Sequence, residues 1–186
     1  MVPIPTLWAP ILLSGVFVFV ASSIIHMVLT YHRSNVAKLP KEDEVMEALR
    51  KFQIPPGDYM VPCGTGPASM KDPAFLAKMN QGPVAVMTVM KPGPYDMGRN
   101  LAQWFAYCLA VGVLAAYLTG RALGPGAQYL AVFRFAGTVA FIGYAMAQAQ
   151  QSIWYQRRWS STFKYMFDGL VYGLLTGGTF GWLWPN

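Results

Sequence analysis

The chain has 186 residues, of which 54% are hydrophobic and 12% charged, with a formal net charge of +6. A soluble domain is usually about 25% charged, so this composition excludes an ordinary water-soluble globular protein. The positive charge requires no nucleic acid, because basic residues on the cytoplasmic side of a membrane protein face anionic lipid. We therefore expect an integral membrane protein whose partners include membrane lipids and not nucleic acids.

A helix that spans a bilayer needs about 20 mostly apolar residues, and four segments of the chain meet this requirement. In chain order they are Leu7–Thr30, Leu101–Gly120, Gln128–Gln148 and Tyr165–Trp184. The expected fold is an all-α membrane protein with four transmembrane helices and a small α+β cytoplasmic insert between the first two. Residues 1–30 would form the N-terminal transmembrane helix, 31–100 the insert, and 101–186 a three-helix transmembrane region.

The insert is predicted to contain two short helices and a two-stranded patch. The segment Lys41–Phe52 has acidic residues in its first turn and basic residues in its last, as the helix dipole favours. Asp72 and Pro73 supply an N-cap and a proline at the first helical position, so a second helix should begin there. The β-prone runs Asp58–Cys63 and Val84–Met90 are expected to pair across this helix.

Seven of the eleven methionines lie in the insert. They favour either flexible apolar contacts or soft ligation of Cu(I), with Cys63 and His32 nearby. Cys63 has no second thiol or imidazole close to it in sequence, so packing is the preferred interpretation and copper is not expected.

Basic residues near the helix ends set the orientation of a membrane protein. The insert carries nine Lys and Arg and the connector 150–164 carries three, whereas the turn between the second and third helices has only Arg121. We therefore expect residues 31–100 and 150–164 in the cytoplasm and both termini outside. This pattern suits a bacterial inner (plasma) membrane.

The fourth segment has a glycine at every fourth position. These predicted helix-packing residues are Gly169, Gly173, Gly177 and Gly181, with Ala102, Ala106 and Ala110 as a matching row on the second helix. Small residues four apart share one helix face and let a second backbone approach closely. We expect this face to pack within the bundle, with contact to another protein as the alternative.

Ionisable residues inside a membrane are costly and often mark functional sites. Four polar residues, one per helix, lie at a similar depth near the inner membrane face: His26, Gln103, Gln148 and Asp168. They form either a proton-sensitive His26–Asp168 couple or a hydrogen-bonded cluster that fixes helix register; contact with a quinone or lipid headgroup is a third interpretation. Arg134 is an isolated intramembrane charge. With a rise of 1.5 Å per residue along each helix, its depth in the membrane differs from that of Asp168 by about 14 Å, which is too far for an ion pair.

No catalytic motif such as G-x-S-x-G or HExxH occurs. The only histidines, His26 and His32, lie near one membrane face, whereas the histidine ligands of a bis-histidine haem lie well inside the spanning helices. We therefore expect no enzyme activity, no cofactor and no metal site. The preferred function is a non-catalytic accessory or scaffold subunit that contacts other integral membrane subunits or a second copy of itself. The alternative is a small proton-linked transporter, channel or sensor that uses the His/Asp cluster.

Overall fold

The computed structural model describes all 186 residues and divides into two compact units, one of residues 1–36 with 96–186 and one of residues 37–95. The chain is mostly helical, with two short strands. In chain order the elements are α1 (Trp8–Ser23), α2 (Glu42–Lys51), β1 (Gly57–Val61), α3 (Pro73–Gln81), β2 (Ala85–Val89), α4 (Met97–Ala122), α5 (Tyr129–Ala145), α6 (Ala149–Tyr155) and α7 (Trp159–Trp182).

Three helical segments are long and apolar enough to cross a membrane. A 3-10 turn before α1 and a π turn after it extend that helix to Ile4–Val28, α4 is the second segment, and α5 continues into α6 as Tyr129–Tyr155. Membrane-spanning character is thus supported for three of the four predicted segments. α7 is 24 residues long, but its glycine, threonine and aspartate residues lower its hydropathy below that of the other three. The predicted fourth span is therefore not confirmed.

α4 begins before its apolar stretch. The Asp96 carboxylate accepts a hydrogen bond from the backbone N–H of Arg99 at 3.0 Å, which satisfies one of the free donors at the helix start. The first turn is polar, so the hydropathy of the sequence placed the start at Leu101 whereas the structure places it at Met97.

The glycine row of α7 faces α5 within the chain. From one end to the other, the neighbours are Gly169 with Ala145, Gly173 with Gly137, Gly177 with Phe133, and Gly181 with Tyr129. A Cβ added at Gly177 would lie 2.7 Å from the carbonyl oxygen of Phe133, well inside van der Waals contact. Glycine is needed there because the two backbones touch.

The packing face of α4 differs from the prediction. Ala102, Ala106 and Ala110 are exposed, and the buried small residues form another row, Cys108, Gly112, Ala116 and Gly120. The two rows are offset by two residues, which is about 200° around an α-helix. The predicted alanine row therefore does not form the packing face of α4 within this chain. Small residues occur on both sides of this helix, so their spacing alone does not identify the buried side.

The core of the helical unit consists of two apolar clusters. The first contains Val2, Leu7, Ala115, Ala116, Val132, Ala136, Phe180 and Trp184, and the second contains Val18, Ile25, Cys108, Val111, Ala140, Tyr144 and Tyr172. Through Ile25 and Tyr172, the second cluster reaches the end of the unit at which α1 stops.

Residues 37–95 form a small α+β unit with the predicted two-stranded sheet. β1 and β2 are antiparallel, with Gly57 opposite Val89, and the Asp72 carboxylate accepts a hydrogen bond from the backbone of Ala74 at the start of α3. α2 begins at Glu42 because Lys41 adopts a left-handed conformation with φ of 53°. None of the residues 37–95 is buried.

Candidate functional site

The candidate site is built where the chain leaves α1 and folds back onto α7. The last turn of this helical segment is a π turn, Ile24–Val28, which carries His26. Leu29 is extended, and a 3-10 turn, Tyr31–Asn35, follows at once. This reversal places the rings of His26 and His32 only 4.5 Å apart between centroids.

Asp168 is the centre of the site. It is 2% exposed, and its carboxylate accepts hydrogen bonds from the Tyr31 hydroxyl and from Nε2 of His32, the latter at 2.7 Å. Nε2 of His26 lies 3.9 Å from the same oxygen that His32 contacts. A buried carboxylate needs such partners, because an ionised group without them is very costly in a low-dielectric interior.

Lys164 holds the Tyr31–Asn35 turn against α7. Its ammonium donates hydrogen bonds to the carbonyl oxygen of Tyr31 at 2.7 Å, to Oγ of Ser34 at 2.6 Å and, more weakly, to Oδ1 of Asn35 at 3.4 Å. Although Lys164 is one helical turn from Asp168, its ammonium is used by the turn and forms no ion pair with that carboxylate.

The orientation of the Asn35 amide indicates the tautomer of His32. Because Oδ1 of Asn35 faces the Lys164 ammonium, the amide nitrogen of Asn35 faces Nδ1 of His32, at 2.8 Å. An amide nitrogen is only a donor, so Nδ1 accepts and Nε2 carries the proton donated to Asp168.

Tyr31 completes the wall around the carboxylate. Its ring lies 4.2 Å from that of His32, which also stacks on Tyr165 at 5.1 Å. Burial, together with the hydrogen bond to Asp168, raises the pKa of the Tyr31 hydroxyl above its usual range, so this hydroxyl stays protonated and remains a donor.

A cavity of about 310 Å³ opens beside Asp168. Its polar lining residues are His26, Gln148 and Asp168, and its aromatic lining residues are Trp104, Tyr107, Tyr144, Tyr165 and Tyr172. The Tyr172 hydroxyl is buried and has no hydrogen-bond partner. A buried hydroxyl without a partner is costly, and Tyr172 carries this cost beside Asp168 in the cavity wall.

The structure brings three of the four predicted polar residues together. His26, Gln148 and Asp168 line the cavity, whereas Gln103 is exposed and does not. Gln103 directly precedes the cavity residue Trp104 on α4, so it points about 100° away around the helix. The shared depth of the four residues was visible in the sequence, but the direction of each side chain was not.

Sequence reasoning missed Tyr31 and His32 as site residues. The usable signal was that His32 is the only other imidazole, six residues after His26, but it needs the chain reversal at Leu29 to reach Asp168. Arg134, the isolated charge, is exposed on α5 and lies in a shallow groove with Gly137, Leu170 and Leu174. It forms no ion pair with Asp168.

The site offers three potential ligand atoms for a positively charged species. Nε2 of His26, Nε2 of His32 and a carboxylate oxygen of Asp168 all lie within 4.8 Å of one another. Five aromatic side chains line the cavity, and the face of an aromatic ring attracts a cation. No protein-family model, curated protein or solved structure matches the chain, so its function has to be argued from this geometry.

Proposed function

We propose that this chain is a small integral membrane transporter or sensor that binds a cation in the cavity beside Asp168. The observation that carries this proposal is a buried carboxylate, surrounded by two imidazoles and a phenol, at the wall of an aromatic-lined cavity of about 310 Å³. His26 and Gln148 in the same wall add polar side chains that suit a polar or hydrated occupant.

The proposal includes α7 as a fourth membrane span. At 1.5 Å per residue its 24 residues extend over about 36 Å, which exceeds the hydrocarbon thickness of a bilayer. Its glycines, threonines and Asp168 mostly face other helices, whereas its exposed residues are nearly all large and apolar: Trp159, Phe163, Phe167, Leu170, Leu174 and Trp182. The residues that lower its hydropathy are therefore largely hidden from lipid.

Four spans place both termini on one side of the membrane. The excess of basic residues in 31–100 and 150–164 supports a cytoplasmic location for these segments and an outer location for the termini. This orientation, in a bacterial inner membrane, puts the Asp168 site near the cytoplasmic face.

Ligand-dependent thermal stability of the purified full-length protein in detergent tests the proposal. A ligand that binds only the folded state, at 100 times its Kd, adds about 2.7 kcal/mol to the free energy of unfolding. The panel should contain tetramethylammonium, guanidinium, Mg²⁺ and Zn²⁺, with acetate and phosphate as anionic comparisons. At least one cation should raise the Tm of the wild type but not of Asp168→Asn.

Gln103→Ala is the matched control, because Gln103 is a polar residue of the same helical unit that lies outside the cavity. It should respond to the cation as the wild type does. A stabilising anion, or a cation that stabilises Asp168→Asn equally, contradicts the proposal.

A non-catalytic accessory subunit is the second candidate function. It is favoured by the unit 37–95, in which no residue is buried and large apolar side chains such as Phe52, Met70 and Met90 are exposed. Exposed apolar surface of this kind often marks a protein contact. Purification in mild detergent followed by mass analysis should then recover other membrane subunits in fixed ratio, whereas recovery of this chain alone contradicts this candidate.

A further inference from the structure

We infer that the cation is a divalent first-row transition-metal ion, with Zn²⁺ as the representative, held by His26, His32 and Asp168. This inference rests on the proposed function, because it identifies the occupant of the same site. Imidazole nitrogen suits zinc, iron and nickel ions, and two imidazoles with one carboxylate form a recurrent donor set for such metals. Ca²⁺ and Mg²⁺ prefer oxygen ligands, and no cysteine or methionine lines the cavity to favour Cu(I).

The positions of the donor atoms fit an ion of this size. Metal–ligand bonds of about 2.0–2.2 Å in a tetrahedral site separate the ligand atoms by roughly 3.4 Å. The Asp168 oxygen is 2.7 Å from Nε2 of His32 and 3.9 Å from Nε2 of His26, on either side of this value. The His26 side chain is 43% exposed, so it can turn toward an ion, and the adjustments needed are about 1 Å.

Metal binding requires a change of tautomer at His32. Nε2 now carries the proton that it donates to Asp168, and it must release this proton to water before its lone pair can bind a metal. Nδ1 then takes a proton from water, so the imidazole is neutral before and after. Metal-bound histidines usually donate their other ring N–H to an oxygen acceptor.

Asn35 can supply that acceptor if its side-chain amide rotates so that its oxygen and nitrogen exchange places. Its Oδ1 would then accept from Nδ1–H of His32, at the position where its nitrogen now donates. Lys164 would lose its weak contact to Oδ1 and keep its two shorter hydrogen bonds, to Tyr31 and Ser34. Asn35 is thus a positioning residue for the metal ligand.

His26 and Asp168 line the cavity, so an open coordination position of the ion would be on that side. Three protein ligands leave at least one position for water, as in zinc sites that exchange ligands, whereas structural zinc sites use four protein ligands. A metal-bound water on that side would have Gln148, a polar residue of the cavity lining, as a hydrogen-bonding neighbour. An open, partly hydrated site fits transport or sensing of the ion.

Direct titration of the full-length protein with Zn²⁺ and Co²⁺ tests the inference. The protein should be purified through a tag without histidine and stripped with EDTA, because the chain itself has only two histidines and both are in the site. Calorimetry should show one Zn²⁺ bound per chain, and Co²⁺ should give the visible absorption of a nitrogen- and oxygen-ligated ion. Excess Mg²⁺ should not displace either metal.

Variants then separate metal ligation from folding. His26→Gln and His32→Gln should each weaken Zn²⁺ binding by about 100-fold or more, since each removes a ligand, whereas Asp43→Asn, at an exposed carboxylate of α2, should leave it unchanged. Asn35→Leu should weaken binding by about 10–100-fold through loss of the acceptor. Asn35→Asp should restore it, because a carboxylate accepts from Nδ1–H without turning over.

The inference is overturned if the wild type binds neither Zn²⁺ nor Co²⁺, or if both histidine variants bind them as tightly as the wild type. Stabilisation of the wild type but not of Asp168→Asn by tetramethylammonium, without metal binding, would overturn the metal inference and leave the proposed function standing. Failure of every cation would remove both.

Discussion

The two units of this chain have opposite distributions of polar and apolar residues. In the helical unit the buried residues include Asp168, Thr176 and Ser22, while Leu and Phe are exposed along α7. In residues 37–95 nothing is buried, and apolar side chains share the surface with most of the charged residues of the chain. An exposed leucine in the first unit therefore fits a lipid-facing surface, whereas an exposed phenylalanine in the second contributes little to a core. The same degree of exposure has different physical meanings in the two units.

The largest expected effect comes from a charge on the outer face of α7. Leu174 is 50% exposed, and on insertion scales a change from leucine to arginine near a helix centre costs about 3 kcal/mol. Leu174→Arg should therefore sharply reduce integration of α7, measured by protease protection of a C-terminal reporter. Wild-type integration of this variant would show that α7 does not face lipid.

The second-largest effect on stability is expected at the contact between α5 and α7. Gly177→Ala places a methyl group against the Phe133 carbonyl oxygen and should cost about 1–3 kcal/mol through overpacking, measured by unfolding in mixed detergent and SDS. Gly178→Ala is the matched control, because its Cβ would lie 3.7 Å from the Tyr129 hydroxyl oxygen, which is ordinary contact. Equal stability of the two variants would contradict the close approach.

A smaller effect is expected at the turn beside the site. Lys164→Met removes the hydrogen bonds to Tyr31 and Ser34 and should cost about 1 kcal/mol. Hydrogen exchange of the backbone amides in residues 30–36 should become faster. Lys78→Met, at a lysine without an ion pair, is the control and should leave that exchange unchanged. If Lys164→Met also leaves it unchanged, the turn is held by other contacts.

The smallest effect is expected in residues 37–95. Phe52 is 73% exposed, so Phe52→Arg should change the free energy of unfolding by less than about 0.5 kcal/mol, in contrast to the same charge at Leu174. Thermal unfolding of the purified protein measures this. A large loss would contradict the exposure of Phe52 within this chain.

Features set by neighbouring residues were predicted best. Asp72 and Pro73 define the start of α3 through local hydrogen bonding and a fixed φ, and the two β-prone runs pair because both flank that helix. The three most apolar segments also form long helices as predicted, and their length and composition alone make them suitable for a bilayer.

Features set by direction or by a distant partner were not predictable in the same way. The rows Ala102–Ala110 and Gly112–Gly120 have equal spacing, and only the positions of α1 and α5 determine which one is buried. For α7, hydropathy averages over the whole helix and cannot separate a polar inner face from an apolar outer face. His32 reaches Asp168 only because the helix ends in a π turn and the chain reverses, which no pattern in residues 24–35 specified.

The contact between α5 and α7 also has a consequence for the order of biogenesis. A helix with an aspartate, several threonines and five glycines is a poor candidate for partitioning alone into lipid. α5 precedes α7 in the chain and belongs to a segment apolar enough to cross a membrane, so its Gly137 surface is synthesised before α7. With α7 as the proposed fourth span, its insertion depends on packing against α5, and a variant that disrupts this contact should insert α7 less well.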